Sequence, residues 1–216
     1  MAKISILIDN PGSWAVPYGQ ELARQLRERG HEVVNVLSPQ DIPQGDIVFF
    51  LSCEHLIKKD FRNRNTHSVV IHASALPQGK GWSPLSWQVL EGKNEITLTL
   101  FEAADEVDAG EVYATATILF EGHELIDEMR QKEGEAIIKL ALWFADRYPD
   151  VVGTPQKGDE SFYPKRTPKD SELDPNKSLV ELFNQLRVAD NERYPAFFTH
   201  RGHTYIINIS KRGGSK

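Results

Sequence analysis

The chain has 216 residues, of which 40% are hydrophobic, and a formal net charge of −6. This size supports one substantial core with a small appendage, and the charge gives no basic surface that would neutralise nucleic-acid phosphates. We therefore expect no nucleic-acid partner. Cys53 is the one cysteine, so an internal disulfide is excluded. No apolar run approaches the roughly 20 residues that cross a bilayer, and no signal-like segment opens the chain, so we expect a cytoplasmic protein without a membrane partner.

Strand and helix patterns alternate along residues 1–150. Short apolar runs rich in β-branched residues predict strands at 3–8, 31–37, 46–51 and 68–71. Apolar residues at helical spacing predict helices at 18–29, 83–90 and 125–148. Strands at 95–101 and 111–120 flank an acidic loop, 102–110, and predict a hairpin. This alternation predicts an α/β fold with a mostly parallel twisted sheet.

The composition changes after Pro149. Residues 151–174 are rich in Gly, Pro, Lys and Asp without periodicity, which predicts a segment that crosses the surface of the main domain. A helix is predicted at 178–188, and strands at 195–199 and 204–209 flank Arg201-Gly202, a hairpin signal. We therefore expect a main domain over 1–150, a C-terminal segment with a short helix and β-hairpin over 151–212, and a disordered tail over 213–216. The apolar strand at 205–209 is suited to pairing across a two-fold axis, which favours a homodimer.

His72 stands where chemistry is expected in such a fold. It directly follows the fourth predicted strand, and ligands of open α/β sheets bind beyond the carboxyl ends of the strands. Histidine titrates near neutrality and can relay a proton from an attacking group. The acidic loop contains Asp105, Glu106 and Asp108, and a carboxylate there could orient the imidazole. The residues alone leave open a histidine that only caps the strand, a solvated acidic turn, and a glycosidase-like carboxylate pair.

A family resemblance extends this interpretation. Residues 72–112 read HASALPQGKGWSPLSWQVLEGKNEITLTLFEAADEVDAGEV. This run resembles the signature of the folate-dependent formyltransferases, which include methionyl-tRNA, glycinamide ribonucleotide and nucleotide-sugar N-formyltransferases. The matching positions are His72, Ser74, Leu76, Pro77, Lys80, Gly81, Pro84, Trp87, Thr99, Asp108 and Gly110. Residues 162–198 are similar to the segment that follows the core in the methionyl-tRNA and aminoarabinose enzymes.

The resemblance implies a fold, a donor and site residues. The fold is a Rossmann-like formyltransferase core, and the donor is N10-formyltetrahydrofolate bound beside the acidic loop. His72 and Asp108 are the implied catalytic pair. Ser52, Lys80 and Asp105 are the implied contacts to the donor. The resemblance implies no metal, and the other histidines lack paired ligand spacing.

Two positions depart from the pattern of the family. The family carries an asparagine two residues before the histidine, which helps to hold the formyl oxygen as negative charge develops; this chain has Val70 there. Loss of one such donor typically lowers the rate by about 10²–10³-fold. Asn65, Ser74 and backbone amides are candidate replacements. The strand histidine of the family is replaced by Phe101.

The acceptor implied by the resemblance is an amine. The short C-terminal segment and the acidic composition lower the expectation of a tRNA, and the segment after the first strand lacks the glycine-rich phosphate loop of the glycinamide ribonucleotide enzymes. The nucleotide-sugar branch remains, so we expect transfer to the amino group of a UDP- or dTDP-linked amino deoxysugar in surface-glycan or nonulosonic-acid biosynthesis. Expected substrate contacts are Ser13 and Trp14, by anion binding and stacking, with Asn184 and Arg187. The alternatives are a catalytically weakened binding homologue and a formyltetrahydrofolate hydrolase.

Overall fold

The structure, a computed structural model, describes residues 1–212. The predicted tail, 213–216, lies outside the described residues. In chain order the strands are β1 (Lys3–Leu7), β2 (Glu32–Val36), β3 (Gly45–Phe50), β4 (Asn65–His72), β5 (Lys80–Gly81), β6 (Glu95–Glu102), β7 (Val112–Leu119), β8 (Phe162–Tyr163), β9 (Ala196–His200) and β10 (His203–Ile207). The helices are α1 (Val16–Glu28), α2 (Lys59–Arg62), α3 (Pro84–Leu90), α4 (Ile126–Ala145) and α5 (Phe183–Arg187).

The central sheet of the described chain has six strands in the order β2-β1-β3-β4-β6-β7. The pairs β1–β2, β1–β3 and β3–β4 are parallel, whereas β4–β6 and β6–β7 are antiparallel. This order confirms the predicted α/β fold, the mostly parallel sheet and the β6–β7 hairpin. Because β1, β3 and β4 run in parallel, their carboxyl ends lie at one edge of the sheet.

The largest apolar cluster lies between the sheet and the helices α1 and α4. Ile4 and Ile6 of β1, Leu22 of α1, and Ala141 and Phe144 of α4 belong to it and are almost fully buried. Gly134 lets α1 and α4 approach, because a Cβ there would stand 2.3 Å from a ring carbon of Tyr18. A smaller cluster on β1 and β3 includes Leu7, Val48 and Phe50. Helices α1 and α4 confirm the amphipathic patterns.

The C-terminal segment differs from the prediction at its helix. The sequence predicts a helix at 178–188, but α5 covers Phe183–Arg187 alone. Ser178 and Glu181 do form the reciprocal hydrogen bonds of a capping box. Leu179 and Val180, which follow, are exposed, so this turn lacks the burial that stabilises most helices in proteins.

The predicted C-terminal hairpin is confirmed. Strands β9 and β10 pair in antiparallel register, and Phe198 stacks on Tyr205 with ring centroids 5.3 Å apart. Beneath the hairpin, a separate small cluster contains Leu173, Leu182, Leu186 and Ala196. Tyr205 and Ile206 are exposed on β10. The homodimer expected from this strand stays a prediction.

Candidate active site

Two cavities meet at the carboxyl edge of the sheet. One, of about 430 Å³, is lined by the loop after β6 and is called here the acid-loop cleft. The other, of about 310 Å³, is lined by Arg130, Lys165, Arg166 and Arg193 and is called here the cationic cleft. The residues common to both are Ser52, Cys53, Glu54, Ile71, His72, Gly81 and Trp82. His72 therefore stands where a ligand in one cleft meets a ligand in the other.

The imidazole of His72 is held in one orientation. Its Nε2 lies 2.8 Å from the carbonyl oxygen of Gly79 and 3.8 Å from Oδ2 of Asp108. A carbonyl oxygen can only accept a hydrogen bond, so Nε2 carries the hydrogen in the neutral ring. Nδ1 is then the basic nitrogen, and residues 1–212 offer it no hydrogen-bond partner. His72 is thus arranged to accept a proton at Nδ1 while Asp108 lies beside the opposite side of the ring.

Asp108 is held by backbone contacts. Its backbone has a φ of 50°, a left-handed conformation that aspartate tolerates better than most residues, and its Oδ2 accepts a 2.8 Å hydrogen bond from the amide of Gly81. Gly81 has a φ of 99°, and a Cβ there would stand 2.4 Å from the carbonyl oxygen of Tyr163. Gln156 donates to the carbonyl oxygens of Asp108 and Gly110 at 2.8 Å each. The carboxylate is therefore positioned by two loops that lie far apart in sequence.

The segment 154–163 ties these loops together. Strand β8 pairs with β5, and the amide of Gly79 donates to Oγ of Ser161 at 2.9 Å. Lys80, the predicted donor contact, points into this junction: its Nζ bonds to Glu160 at 2.5 Å and lies 5.7 Å from the ring centroid of Phe162. Lys80 is 2% exposed and is not among the lining residues of either cleft. Its position favours support of the active-site loop over donor contact.

An apolar wall forms one side of the acid-loop cleft. Val70 pairs with Phe50 on β3 and with Phe101 on β6, and all three line the cleft. The two departures from the formyltransferase pattern, Val70 and Phe101, are therefore direct cross-strand neighbours. The two side chains predicted as replacements for the missing asparagine lie elsewhere, and replacement by backbone amides stays a prediction. Asn65 lies at the opposite end of β4, and Ser74 is buried, and neither lines a cleft.

The acidic loop is anchored through Asp105. Arg62, which is buried, donates to the carbonyl oxygen of Ala103 at 2.9 Å and forms an ion pair with Asp105. The hydrogen bond from Arg62, with the nearby charge of Lys59, lowers the pKa of the Asp105 carboxyl. Asp105 and Ser52 both line the acid-loop cleft, where the sequence predicts donor contacts. Their contact with a donor stays a prediction.

The cationic cleft contains charged groups that the sequence prediction missed. Arg130 pairs with Asp190 at 2.8 Å, so its charge is compensated. Arg166 is 9% exposed, its Nε has no hydrogen-bond partner among residues 1–212, and the bonds found for it there are long, at 3.4 Å to Ser171 and 3.5 Å to Val188. Burial lowers the pKa of the Arg166 guanidinium. A buried cation with so few partners makes this cleft suited to an anionic ligand.

Two of the four predicted substrate contacts line a cleft, and the other two do not. Ser13 and Trp14 line the cationic cleft, next to Ser52, whose Oγ lies 3.4 Å from that of Ser13. Asn184 and Arg187 line neither cleft. Arg187 is 1% exposed and donates to Asn94 at 2.6 Å and to Asn184 at 3.0 Å. Its bonds join α5 to the main domain, so this geometry does not support substrate contact by Asn184 and Arg187.

The Cys53 thiol is not activated as a nucleophile. Burial raises the pKa of the Cys53 thiol to about 12, which disfavours the nucleophilic thiolate although the residue lines both clefts. Among residues 1–212, no group of three or more His, Cys, Asp or Glu side chains could hold a metal ion. None of the described helices is both long and apolar enough to span a membrane.

The formyl transferase family matches residues 16–140, more than half of the chain. The chain therefore belongs to the formyl transferase family, as the motif between His72 and Gly110 predicts. The methionyl-tRNA formyltransferase of Thermosipho melanesiensis is 26% identical over 167 residues, which cover 77% of this chain and 52% of that protein. The chain thus spans about half the length of this curated relative.

Solved structures share the fold. The methionyl-tRNA formyltransferase from Clostridium thermocellum has a TM-score of 0.83 at 18% identity, over 100% of this chain and 96% of that one. HypX from Aquifex aeolicus in complex with tetrahydrofolic acid scores 0.79 at 20% identity, over 96% of this chain and 37% of that one. A sugar N-formyltransferase from Shewanella sp. FDAARGOS_354 scores 0.70 at 14% identity over the whole of both chains. At these identities the likeness shows the Rossmann-like formyltransferase fold and no shared substrate.

Proposed function

We propose that this protein transfers a formyl group from N10-formyltetrahydrofolate to the amino group of a nucleotide-linked amino deoxysugar. One observation carries the proposal: His72, whose Nδ1 has no hydrogen-bond partner among residues 1–212, stands at the junction of the acid-loop cleft and the cationic cleft. Such an arrangement brings two substrates together at one proton acceptor, and holding reacting groups in place removes much of the entropic barrier to transfer.

The acid-loop cleft fits the formyl donor. Its wall of Phe50, Val70 and Phe101 is apolar and suited to a flat pterin ring, while Asp105 and Ser52 add polar groups at the rim. The bound tetrahydrofolic acid of the HypX structure supports a folate on this fold. The donor supplies the activated formyl carbon, and the loop that carries Asp108 would place that carbon near His72.

The cationic cleft fits an acceptor that carries phosphate. Arg166 and Lys165 offer positive charge, and Trp14 offers a ring on which a sugar or base could stack. The sugar N-formyltransferase structure supports an amino-sugar acceptor, whereas the curated relative named above is a methionyl-tRNA enzyme. The net charge of −6 favours the smaller anion over a tRNA.

The chemistry follows from the orientation of His72. The acceptor amine attacks the formyl carbon, a new C–N bond forms, and negative charge develops on the formyl oxygen. His72 accepts the amine proton at Nδ1 and returns it to N10 as the C–N10 bond breaks. Asp108, 3.8 Å from Nε2, stabilises the positive charge that His72 carries between these steps.

Val70 favours a second candidate, a homologue that binds the same ligands with weak turnover. The side chain of Val70 offers no donor to the formyl oxygen, and the side chains that bring O–H or N–H donors to the residues shared by the two clefts are Ser52, His72 and Trp82. A hydrolase that releases formate is a third outcome, in which water replaces the amine.

One assay separates these candidates. The protein is incubated with N10-formyltetrahydrofolate and, separately, with UDP- and dTDP-linked amino deoxysugars and methionyl-tRNA, and mass spectrometry follows addition of one formyl group. We expect a formylated nucleotide sugar. Formylation of the tRNA alone would reassign the acceptor, formate release without an acceptor would indicate the hydrolase, and folate binding without either product would leave the binding homologue.

A further inference from the structure

Glu133 occupies an unusual position on α4. The residues of this helix that line the cationic cleft are Ile126, Arg130, Glu133 and Ile137, which share one face. Arg130 is compensated by Asp190, but the carboxylate of Glu133 makes no hydrogen bond or ion pair within residues 1–212. Burial of an uncompensated carboxylate is costly, so this side chain is suited to bind a cationic group of a ligand.

The surroundings of Glu133 are mostly protein, although part of its surface faces the cleft. On its own helix the nearest charge is Arg130, and Tyr18 of α1 packs against the adjacent Gly134. The titratable groups that reach the same cleft from other elements are Cys53, Glu54, His72, Lys165, Arg166, Asp190, Arg193 and Tyr194. Burial dominates over the charge of Arg130 and raises the pKa of Glu133 from 4.5 to about 7. The group can therefore exchange a proton near neutrality.

We propose that Glu133 binds the ammonium group of the acceptor and takes its first proton, which turns the acceptor into a neutral amine nucleophile. This inference rests on the cationic cleft as the acceptor site of the proposed function. The amine loses two protons during the reaction, and Glu133 and His72 each accept one of them. Glu133 receives one proton from R–NH3⁺ and becomes a neutral carboxylic acid, and His72 relays the second proton to N10 as R–NH–CHO forms. The proton on Glu133 then leaves to water.

The charge pattern of the cleft defines the acceptor class. Glu133 supplies a carboxyl group from α4, whereas Arg166 and Lys165 supply cations from the C-terminal segment. A ligand with an ammonium group and a separate phosphate complements both kinds of group, while the corresponding hydroxyl sugar complements only the cations. Glu133 would thus discriminate an amino sugar from its hydroxyl counterpart, because the carboxylate forms a charge-assisted bond with the ammonium alone.

Matched ligand pairs test this discrimination. Isothermal titration calorimetry at pH 7.5 compares dTDP-4-amino-4,6-dideoxyglucose with dTDP-6-deoxyglucose, and the corresponding UDP-linked pair. We expect the wild-type protein to prefer the amino sugar by about 10- to 100-fold, the strength of a hydrogen bond to a charged group. Glu133→Gln should abolish the preference by weakening the amino sugar alone, whereas Glu133→Asp should retain part of it. Glu135→Gln, an exposed change on the same helix, is the matched control.

Each outcome decides the proposal. A preference that survives in Glu133→Gln, or that is missing in the wild type, overturns the role of Glu133, even where the formyl-transfer assay succeeds. A Glu133-dependent preference without formyl transfer supports the acceptor site and contradicts the proposed reaction. Failure of both pairs to bind the wild-type protein overturns the inference and the nucleotide-sugar proposal together. In an active enzyme, Glu133→Gln should raise the acceptor KM and shift the acidic limb of the pH profile, which a purely structural residue would not do.

Discussion

The acid-loop cleft and the cationic cleft share His72 but are built differently. The acid-loop cleft is formed by sheet residues and the loop after β6, with an apolar wall of cross-strand neighbours. The cationic cleft adds side chains of α4 and of the C-terminal segment to residues 13–14 and 81–86. The family motif therefore surrounds the acid-loop cleft and the shared centre, whereas the cationic cleft depends on residues from distant parts of the chain.

Removal of His72, which both clefts share, should have the largest effect. His72→Asn should lower the rate of formyl transfer by about 10²–10⁴-fold, because the site loses the group that carries the proton from the attacking amine to N10. Asp108→Asn should lower it by about 10²-fold by weakening stabilisation of the charged imidazole. Single-turnover kinetics measure both, with exposed His200→Asn as the control. Rates near that of the wild type would remove this pair from the mechanism.

Restoration of the family asparagine at position 70 tests whether the apolar wall limits the chemical rate. Val70→Asn places an amide donor two residues before His72, and we expect the chemical rate to rise by about 10- to 100-fold because the formyl oxygen gains a partner. Binding of tetrahydrofolate should weaken, since the wall loses an apolar contact. Single-turnover rates and folate titration separate the two effects. An unchanged rate would mean that another donor already holds the oxygen.

A substitution in the cationic cleft should change binding of the acceptor and not binding of the formyl donor. Lys165→Gln should raise the acceptor KM by about 3- to 10-fold, the worth of one exposed ion pair to phosphate, with the KM for formyltetrahydrofolate unchanged. Steady-state kinetics with each substrate varied in turn measure this. Lys169→Gln, exposed on the same segment but outside the cleft, is the control. Equal changes in both KM values would contradict separate binding sites.

Glu133→Gln should stabilise the free protein at alkaline pH. The pKa of Glu133 is raised to about 7 in the folded state from 4.5, so the unfolded state releases this proton first as the pH rises. The free energy of unfolding therefore falls between about pH 4.5 and pH 7 and stays lowered above that range. Glutamine removes this loss, so the Tm should exceed that of the wild type at pH 8 and match it at pH 4. Thermal melts at both pH values check this, and equal melts at pH 8 would mean that Glu133 carries no burial penalty.

Most of the fold could be predicted from the sequence because its signals are local. The amphipathic spacing in α1 and α4 and the apolar runs of β1, β3 and β4 appear within short windows, and each was found close to its predicted bounds. The helix predicted at 178–188 failed for the opposite reason. Its first turn leaves Leu179 and Val180 exposed, and helical spacing in the sequence does not reveal whether an apolar side chain finds a core to pack against.

The sequence by itself determined the family, through the motif between His72 and Gly110, and the alternation of strands and helices, through apolar spacing within short windows. Only the tertiary structure decided where Lys80, Arg187 and Glu133 lie. The first two are buried in ion-pair and hydrogen-bond junctions, and the third lies in a cleft without an ion pair among residues 1–212. Whether a charged side chain is compensated depends on groups brought from distant segments, and no local pattern along the chain records those contacts.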